Sequence, residues 1–460
     1  MYRLGVPASD RVDQTSGPYH PAEPSSPTRR GRRPGPRPLV TWIDIARLLS
    51  IALAATILFV DFANPDRMDS SDYVMSFYVA GRLAADGKFD RMYPGPGTVS
   101  FRKAPFNESA HQLLPKLPER STTAFMYPPI VAWIFAPLSV APPHVSLLLW
   151  QVISVATLGL ACLLLSRTSD VRAHDLFFLS VLFFPTFITV LIGQAGIVFG
   201  LLPLSVGYWL LSRGKPLAAG FAWAALALKP PFLLAVGLIS VAYALTGRLR
   251  LLSGMLLGLG LWLSLNFVLV PAGMFGAWIR SLQVTDAIFS SNEYQVPLHL
   301  VTSIPADVMT RFPPDARASL KPLLYGLAAC LGVFALWQCR KILRSHLPEE
   351  LSRLAVFATS LAILPLISPH LLYYDLVTLL PIGLILLGRQ WGEPPREGLR
   401  RMILVLWLSI SGYFVFFSFV GRFSASPLVL LVIVFAAWVL FLQKAVAVST
   451  MTISPAAGRG

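Results

Sequence analysis

The chain has 460 residues, of which 55% are hydrophobic and only 13% are charged. Because a soluble domain carries about 25% charged residues, this composition excludes an ordinary soluble domain and indicates an all-α polytopic membrane protein. The net charge of +15 does not indicate a nucleic-acid partner, because the basic residues are spread over predicted membrane loops, where membrane orientation accounts for them.

Residues 1–38 are rich in Pro, Ser, Gly and Arg, which predicts a disordered basic tail directly before the first apolar segment. Basic residues beside a span stay in the cytoplasm, so this tail is predicted to be cytoplasmic and to face the anionic membrane lipids. Residues 39–447 are predicted to form the membrane domain, and 448–460 a short cytoplasmic tail. The predicted spans are 42–62, 145–166, 175–192, 195–211, 217–228, 231–246, 251–270, 322–338, 354–368, 371–388, 402–420 and 427–443.

The basic residues support about twelve spans, within a range of ten to thirteen, with both termini in the cytoplasm. Every cytoplasmic loop of this arrangement carries Arg or Lys, whereas the short external turns carry almost none apart from Lys229 and Arg422. Two long external loops result, at 63–144 and 271–321. Loops of this length usually carry function.

Three segments leave structural alternatives open. Residues 124–141 are apolar but short and rich in proline, which favours a re-entrant or interfacial helix over a thirteenth span. The Lys-Pro-Pro sequence at 229–231 is either the turn of a tight hairpin or a break within one helix. Residues 75–89 in the first loop are predicted to form an amphipathic interfacial helix.

Polar residues on the predicted external side are the candidates for chemistry. Asp72 and Asp69, which follow the first span, could be catalytic carboxylates, although a solvated loop acid is the simpler interpretation of each. Lys229 lies between two apolar stretches, where a lysine at membrane depth costs roughly 3 kcal/mol. It is therefore either an anion-binding residue or a side chain that reaches the membrane surface from the end of a span.

The other candidates also have structural alternatives. His370 could carry a proton or bind phosphate, or it could cap a helical hairpin, and Arg422 could clamp a phosphate or anchor a turn at the interface. Asp375, within an apolar span, needs a partner or a cavity. Gln194 is either a substrate ligand or a residue of a helix-hairpin turn. The remaining candidates for substrate contact are Tyr127, Asn292 and Gln295.

Cations at the depth of a lipid head group, together with a carboxylate, are the minimum set for moving a group off a lipid-phosphate carrier. No carboxylate cluster has the spacing of a metal cage, so neither a metal nor another cofactor is expected. The cysteines, Cys162, Cys330 and Cys339, show neither pairing nor zinc-ligand spacing, so no disulfide is expected.

Several short motifs share an order and a predicted external placement with a known enzyme family. They are SDYVMSFYVAGRLAADG from Ser71 with Tyr93, FMYPP at 125–129 with Pro137-Leu138, GQAG at 193–196, GFAWAALALKPP at 220–231, NEYQVPL at 292–298 and SPHLLYYDL at 368–376. On these motifs the sequence resembles glycosyltransferase family 87, the polyprenol-phosphate-mannose-dependent mannosyltransferases, within the broader GT-C fold. The resemblance covers about residues 42–443.

The resemblance implies a GT-C-like bundle with extracytoplasmic loop helices and an enzyme whose donor is a polyprenyl-phosphate sugar, most often mannose. Asp72 best matches the family position of the general base, while Lys229, Arg422 and His370 would stabilise the leaving phosphate. A single displacement would invert the anomeric centre, and the acceptor would be a glycolipid or glycan. In a bacterium the site would face outward from the inner (plasma) membrane.

Three other functions stay open at this level. The first is a secondary transporter or a lipid or glycolipid flippase that uses Lys229, Asp375 and His370 as a relay within the membrane. The second is a non-catalytic scaffold of an envelope complex, and the third is a GT-C enzyme specific for arabinose, glucose or galacturonic acid. Two long external loops and the lack of an internal repeat disfavour the transporter.

Overall fold

The computed structural model describes residues 42–63, 71–95, 98, 100–169, 171–290, 300–388 and 405–416. Within these residues the regular structure is helical, and the single extended pairing is an isolated bridge between Val301 and Leu372. Helices satisfy their backbone hydrogen bonds internally, as a segment in lipid must. With several helices apolar enough to cross a bilayer, the chain is a polytopic membrane protein.

The α-helices differ widely in length, and short π and 3₁₀ turns interrupt several of them. The α-helices are α1 Trp42–Ala63, α2 Val79–Ala85, α3 Pro105–Leu113, α4 Pro129–Phe135, α5 Pro143–Ser166, α6 Ala173–Val181, α7 Phe184–Leu191, α8 Leu202–Ser212, α9 Pro216–Trp223, α10 Leu233–Ala244, α11 Arg250–Leu269, α12 Met274–Ser290, α13 Ile304–Arg311, α14 Pro314–Arg344, α15 Glu349–Ala362, α16 Leu364–Ile367, α17 Leu380–Gly388 and α18 Val405–Phe416. The π turns are Tyr73–Tyr78 and Ile197–Leu201, and the longer 3₁₀ turns are Ala224–Leu228 and Tyr373–Leu379.

Four helices in the described residues are long and apolar enough to cross a membrane, namely Pro143–Ser166, Arg250–Leu269, Asp315–Arg344 and Glu349–Ile367. Helices α6 and α7 form a fifth candidate if they are one span bent by 77°. Pro185 lies at the start of α7, where its ring prevents α6 from continuing. Shorter apolar helices occupy most other predicted spans. The count of twelve stays a prediction, and the span at 427–443 lies outside the described residues.

The packing of α9 against α11 decides how the chain turns at Lys229. A Cβ on Gly254 would lie 1.9 Å from the carbonyl oxygen of Leu217, and one on Gly258 would lie 2.9 Å from that of Phe221. These contacts advance in the same direction along both helices, so α9 and α11 are parallel and tightly packed. The intervening α10 must therefore run the opposite way, which makes residues 229–231 the turn of a hairpin rather than a break in one helix.

The first loop is buried within the protein. Tyr73 and Phe77 are fully covered, and their rings lie 5.7 Å and 4.7 Å from that of Phe135 in α4. Gly81 packs so closely that a Cβ there would lie 2.7 Å from the Phe135 backbone. The helix predicted at 75–89 forms in large part, as the π turn Tyr73–Tyr78 and α2, but most of its residues are buried against the protein, so the interfacial position predicted for it was wrong. Helix α4 itself has seven residues, too few to cross a bilayer, as predicted.

The described residues contain two large apolar cores. One includes Trp223 and Phe232 among the long helices, and the other includes Tyr73 and Phe135 around the first loop. Leu228 belongs to the second core, whereas Phe232 belongs to the first. The turn at Lys229 therefore lies where the two cores meet, which is a place where a polar group can be surrounded on all sides.

Candidate active site

Asp72 is positioned by a close contact between the first loop and the turn after α7. The backbone N–H of Tyr73 donates to the carbonyl of Ile192 at 3.0 Å. Gly193 follows with φ of 70°, and a Cβ there would lie 2.4 Å from the Cβ of Tyr73. Only glycine suits both the left-handed backbone and this approach. The turn thereby places Gln194 beside Asp72.

A chain of side-chain hydrogen bonds runs through Gln194. Its Nε2 donates to Oδ2 of Asp72 at 2.9 Å, and its Oε1 accepts from the hydroxyl of Tyr127 at 3.2 Å. Tyr127 is held in turn, because its carbonyl accepts a hydrogen bond from Tyr93 at 2.6 Å and its ring lies 4.8 Å from that of Phe77. Gln194 is buried. The amide therefore links two parts of the first loop.

The carboxyl group of Asp72 is partly buried and hydrogen-bonded to Gln194, which differs from the environment of a fully solvated loop acid. Burial raises the pKa of Asp72 above its ordinary value of 3.8. The hydrogen bond from Gln194 and the charge of Lys229 oppose this increase, whereas the charge of Asp375 adds to it. A carboxylate with a raised pKa is a stronger base than an exposed one.

Lys229 forms a buried ion pair with Asp375, and each residue is only 5% exposed. The ammonium group also lies over two aromatic rings, 4.9 Å from the centroid of Phe232 and 5.1 Å from that of Tyr374. The second oxygen of Asp375 accepts from the backbone N–H of Leu372 at 3.0 Å. Asp375 thus has the partner that its position requires. Lys229 points into the protein, so the alternative of a side chain reaching the membrane surface was wrong.

The hydrogen-bonded chain and the ion pair are neighbours. A Cβ on Gly196 would lie 3.7 Å from Nζ of Lys229, and Gly196 stands two residues after Gln194 in the sequence. The charges of both Lys229 and Asp375 act on Asp72. We call the group of Tyr127, Asp72, Gln194, Lys229 and Asp375 the charged cluster. Its five residues are far apart in the sequence, from position 72 to position 375.

His370 is half-buried in the turn that leads to Asp375, and its carbonyl accepts from the hydroxyl of Ser368 at 3.2 Å. The second loop is tied to this turn, because the N–H of Thr302 donates to the carbonyl of Leu371 at 2.9 Å and the N–H of Leu371 donates to Ser303 at 3.2 Å. These Ser and Thr residues were missed in the sequence, where such common types carry no signal. The predicted site residues Asp69, Asn292, Gln295 and Arg422 lie outside the described residues.

Two aromatic residues of the site, Phe232 and Tyr374, were also missed in the sequence. Tyr374 lies inside one of the motifs given above, and Phe232 directly follows another. Phe232 follows the Lys-Pro-Pro turn and Tyr374 directly precedes Asp375, and their rings enclose the ammonium group of Lys229. Within the part of the chain that the structure describes, no group of three or more His, Cys, Asp and Glu residues could hold a metal ion. That the site works without a metal remains a prediction.

The arrangement is suited to proton transfer. One oxygen of Asp72 is held by Gln194, and within the described residues the other makes no hydrogen bond. That free oxygen can accept a proton from a hydroxyl group, while the nearby cation favours negative charge.

The family model for glycosyltransferase family 87 matches residues 125–369, which is more than half of the chain. This interval includes Tyr127, Gln194 and Lys229, while Asp72 and Asp375 lie on either side of it. Searches of curated proteins and of solved structures gave no match.

Proposed function

This chain belongs to glycosyltransferase family 87, and we propose that it moves a hexose, with mannose as the expected sugar, from a polyprenyl-phosphate donor to a lipid- or glycan-linked acceptor. The family and the apolar helices make it a membrane glycosyltransferase. The observation that carries the proposal is the partly buried carboxylate of Asp72, held by Gln194 beside the Lys229–Asp375 ion pair. Family membership favours transfer over the transporter, flippase and scaffold alternatives.

The proposed reaction is a single displacement. An acceptor hydroxyl oxygen attacks the anomeric carbon and gives its proton to the free oxygen of Asp72. The bond from the anomeric carbon to the phosphate oxygen breaks, and its electron pair leaves with polyprenyl phosphate. Attack from the face opposite the leaving group inverts the anomeric centre. Asp69 is the other candidate for the base.

Negative charge grows on the phosphate as it leaves, so cations near it lower the barrier. Lys229 is buried and paired with Asp375, so its charge would act from inside the protein. Direct contact with the phosphate would then fall to His370 and Arg422. Asn292 and Gln295 are the proposed direct contacts of the sugar. Both oxygens of Asp375 are already bonded and the hydroxyl of Tyr127 donates to Gln194, so these two residues would act through the charged cluster. Polyprenyl phosphate is a monophosphate, which needs less help from a metal as a leaving group than the diphosphate of a nucleotide sugar. We therefore propose that neither a metal nor another cofactor takes part.

We further propose that the protein lies in a bacterial inner membrane, with both termini in the cytoplasm and the charged cluster on the extracytoplasmic side. The ion pair of Arg47 with Asp175, at 3.2 Å, joins the beginnings of α1 and α6. Arg47 follows the basic tail, whereas Asp72 follows the other end of α1. The positive charge of the tail thus supports an external position for the cluster. About twelve spans complete this GT-C-like arrangement.

The test is incubation of purified protein with a panel of polyprenyl-phosphate sugars and a lipid extract, with product analysis by mass spectrometry. Asp72→Asn should lower turnover by about 10²–10⁴-fold, the usual contribution of a general base. Asp86→Asn is the matched control, because Asp86 lies in the same loop but is exposed and contacts only surface cations among the described residues. Near-normal turnover by Asp72→Asn would remove Asp72 as the base. Solute movement without glycosidic bond formation would favour a transporter.

A further inference from the structure

Gln194 was predicted as a substrate ligand, but its contacts point to a different role. We infer that Gln194 is a positioning residue, which Tyr127 orients and which in turn holds one oxygen of the Asp72 carboxylate and leaves the other available to the acceptor. This inference rests on the proposed function, because it assigns a partner to the proposed base. It deepens that proposal by separating the residue that takes the proton from the residues that prepare it.

The first argument is that the polar atoms of Gln194 are already occupied. Nε2 donates to Asp72 and Oε1 accepts from Tyr127. The backbone N–H of Gln194 is also bound, to the carbonyl of Thr189 at 2.8 Å. The side chain is only 5% exposed. A substrate hydroxyl could reach only the second N–H of the amide or the remaining lone pair of Oε1, so substrate contact is at most a secondary role.

The second argument is that the order of hydrogen bonds fixes the direction of the amide. An ionised carboxylate can only accept, so the NH₂ side of Gln194 must face Asp72. The amide oxygen then faces Tyr127, whose hydroxyl must donate. With the amide reversed, its oxygen would face the carboxylate and repel it. Tyr127 therefore disfavours the reversed amide, and removing its hydroxyl would free Gln194 to rotate.

The third argument is electrostatic. Burial raises the pKa of Asp72, and the hydrogen bond from Gln194 is the largest of the influences that lower it. A hydrogen bond to a charged group is among the stronger ones in proteins. Loss of the amide donor should therefore raise the pKa of Asp72 further and leave more of it protonated at a given pH. A protonated carboxyl group cannot take a proton from the acceptor, so the enzyme would need a higher pH to work.

The test compares the pH dependence of kcat/KM, and kcat and KM separately, in the full-length enzyme and in Gln194→Met. Methionine has nearly the same length but cannot donate. We expect the acid limb of kcat/KM to move upward by about one to two pH units, with activity recovering at high pH and KM changing less than about twofold. Tyr127→Phe should shift the limb in the same direction by a smaller amount. Gln194→Glu, which places a second carboxylate beside Asp72, should shift it furthest.

Gln151→Met is the matched control. Gln151 is a buried amide of α5 that donates to the carbonyl of Leu191 at 3.2 Å, so its loss removes a buried amide without touching Asp72. This variant should leave the acid limb where it is. An unmoved limb with a raised KM in both Gln194→Met and Tyr127→Phe would overturn the inference and make Gln194 a substrate ligand.

The outcome can be separated from failure of the proposed function. If Asp72→Asn is inactive and Gln194→Met keeps the wild-type pH profile, Asp72 remains the base and the positioning role is refuted. If Asp72→Asn is active, the proposed mechanism itself fails. If Gln194→Met does not fold, Tyr127→Phe tests the same relay, because its hydroxyl is the only atom lost, and an unchanged pH profile in that variant would overturn the inference.

Discussion

Breaking the Lys229–Asp375 ion pair should destabilise the protein much more than removing both charges together. Each residue is 5% exposed, so a single substitution leaves an unpaired charge away from water. Removing one partner of a buried pair typically costs about 3–5 kcal/mol, whereas replacing both by apolar residues is often neutral. The perturbations are therefore Lys229→Met, Asp375→Leu and the double variant.

The magnitude follows from what each charge would retain. After Lys229→Met, Asp375 would keep one hydrogen bond, from the N–H of Leu372. After Asp375→Leu, the ammonium would keep the ring faces of Phe232 and Tyr374. Because such contacts are worth about 0.5–2 kcal/mol each, we expect this variant to lose less.

The assay is the melting temperature of the purified protein in detergent. A loss of about 3–4 kcal/mol corresponds to a fall of roughly 5–10 °C, since the shift per kcal/mol becomes smaller as chains become longer. The double variant should recover most of this loss. Glu349→Gln is the control, because it breaks a pair with Arg353 in which the Glu349 side chain is 70% exposed, and such pairs contribute little. Single losses that simply add in the double variant would refute the reasoning.

Two further predictions follow from Asp72 and from Gly193. Because burial raises the pKa of Asp72 and a base must be ionised, kcat/KM should fall as the pH drops through a value above 3.8; an acid limb at or below that value in the measured pH profile would contradict this. Gly193→Ala should greatly reduce folded yield and melting temperature, because it adds roughly 1–2 kcal/mol of backbone strain to a clash with Tyr73. Gly87→Ala has a similar φ of 71° but open space around it, so it should show the strain alone, and equal losses in both variants would count against the clash.

Local features of the sequence predicted the long helices well, because length and apolarity are sufficient to identify α5, α11, α14 and α15. The turn at 229–231 could not be decided from the sequence, since its direction depends on the glycine contacts between α9 and α11. The prediction of a surface position for 75–89 was wrong for a similar reason. Helix α4, which packs on this segment, lies about forty residues farther along the chain, so no local pattern shows the burial.

The sequence identified residues of the site but not the contacts between them. Lys229 and Asp375 each stood out as a charge among apolar residues, but 146 positions separate them, so no local pattern indicates that they pair. Gln194 stood out as an amide beside a glycine turn, and its role depended on which groups the fold brings to its two polar atoms. The sequence thus identifies candidate residues by their type and their position in the predicted spans. The hydrogen bonds that give each of them a different role depend on the packing of distant segments.

The choice of partners within the charged cluster has a chemical consequence for the proposed mechanism. If Lys229 were paired directly with Asp72, the cation would lower the pKa of that carboxyl group and weaken it as a base. Instead Asp375 takes the ammonium group, and Asp72 has the neutral amide of Gln194 as its hydrogen-bonding partner. The lysine still acts on Asp72 at longer range, which limits the increase in pKa that burial causes. The cluster thus offers Asp72 a neutral donor and a more distant cation, and leaves its second oxygen available to accept a proton from a sugar hydroxyl.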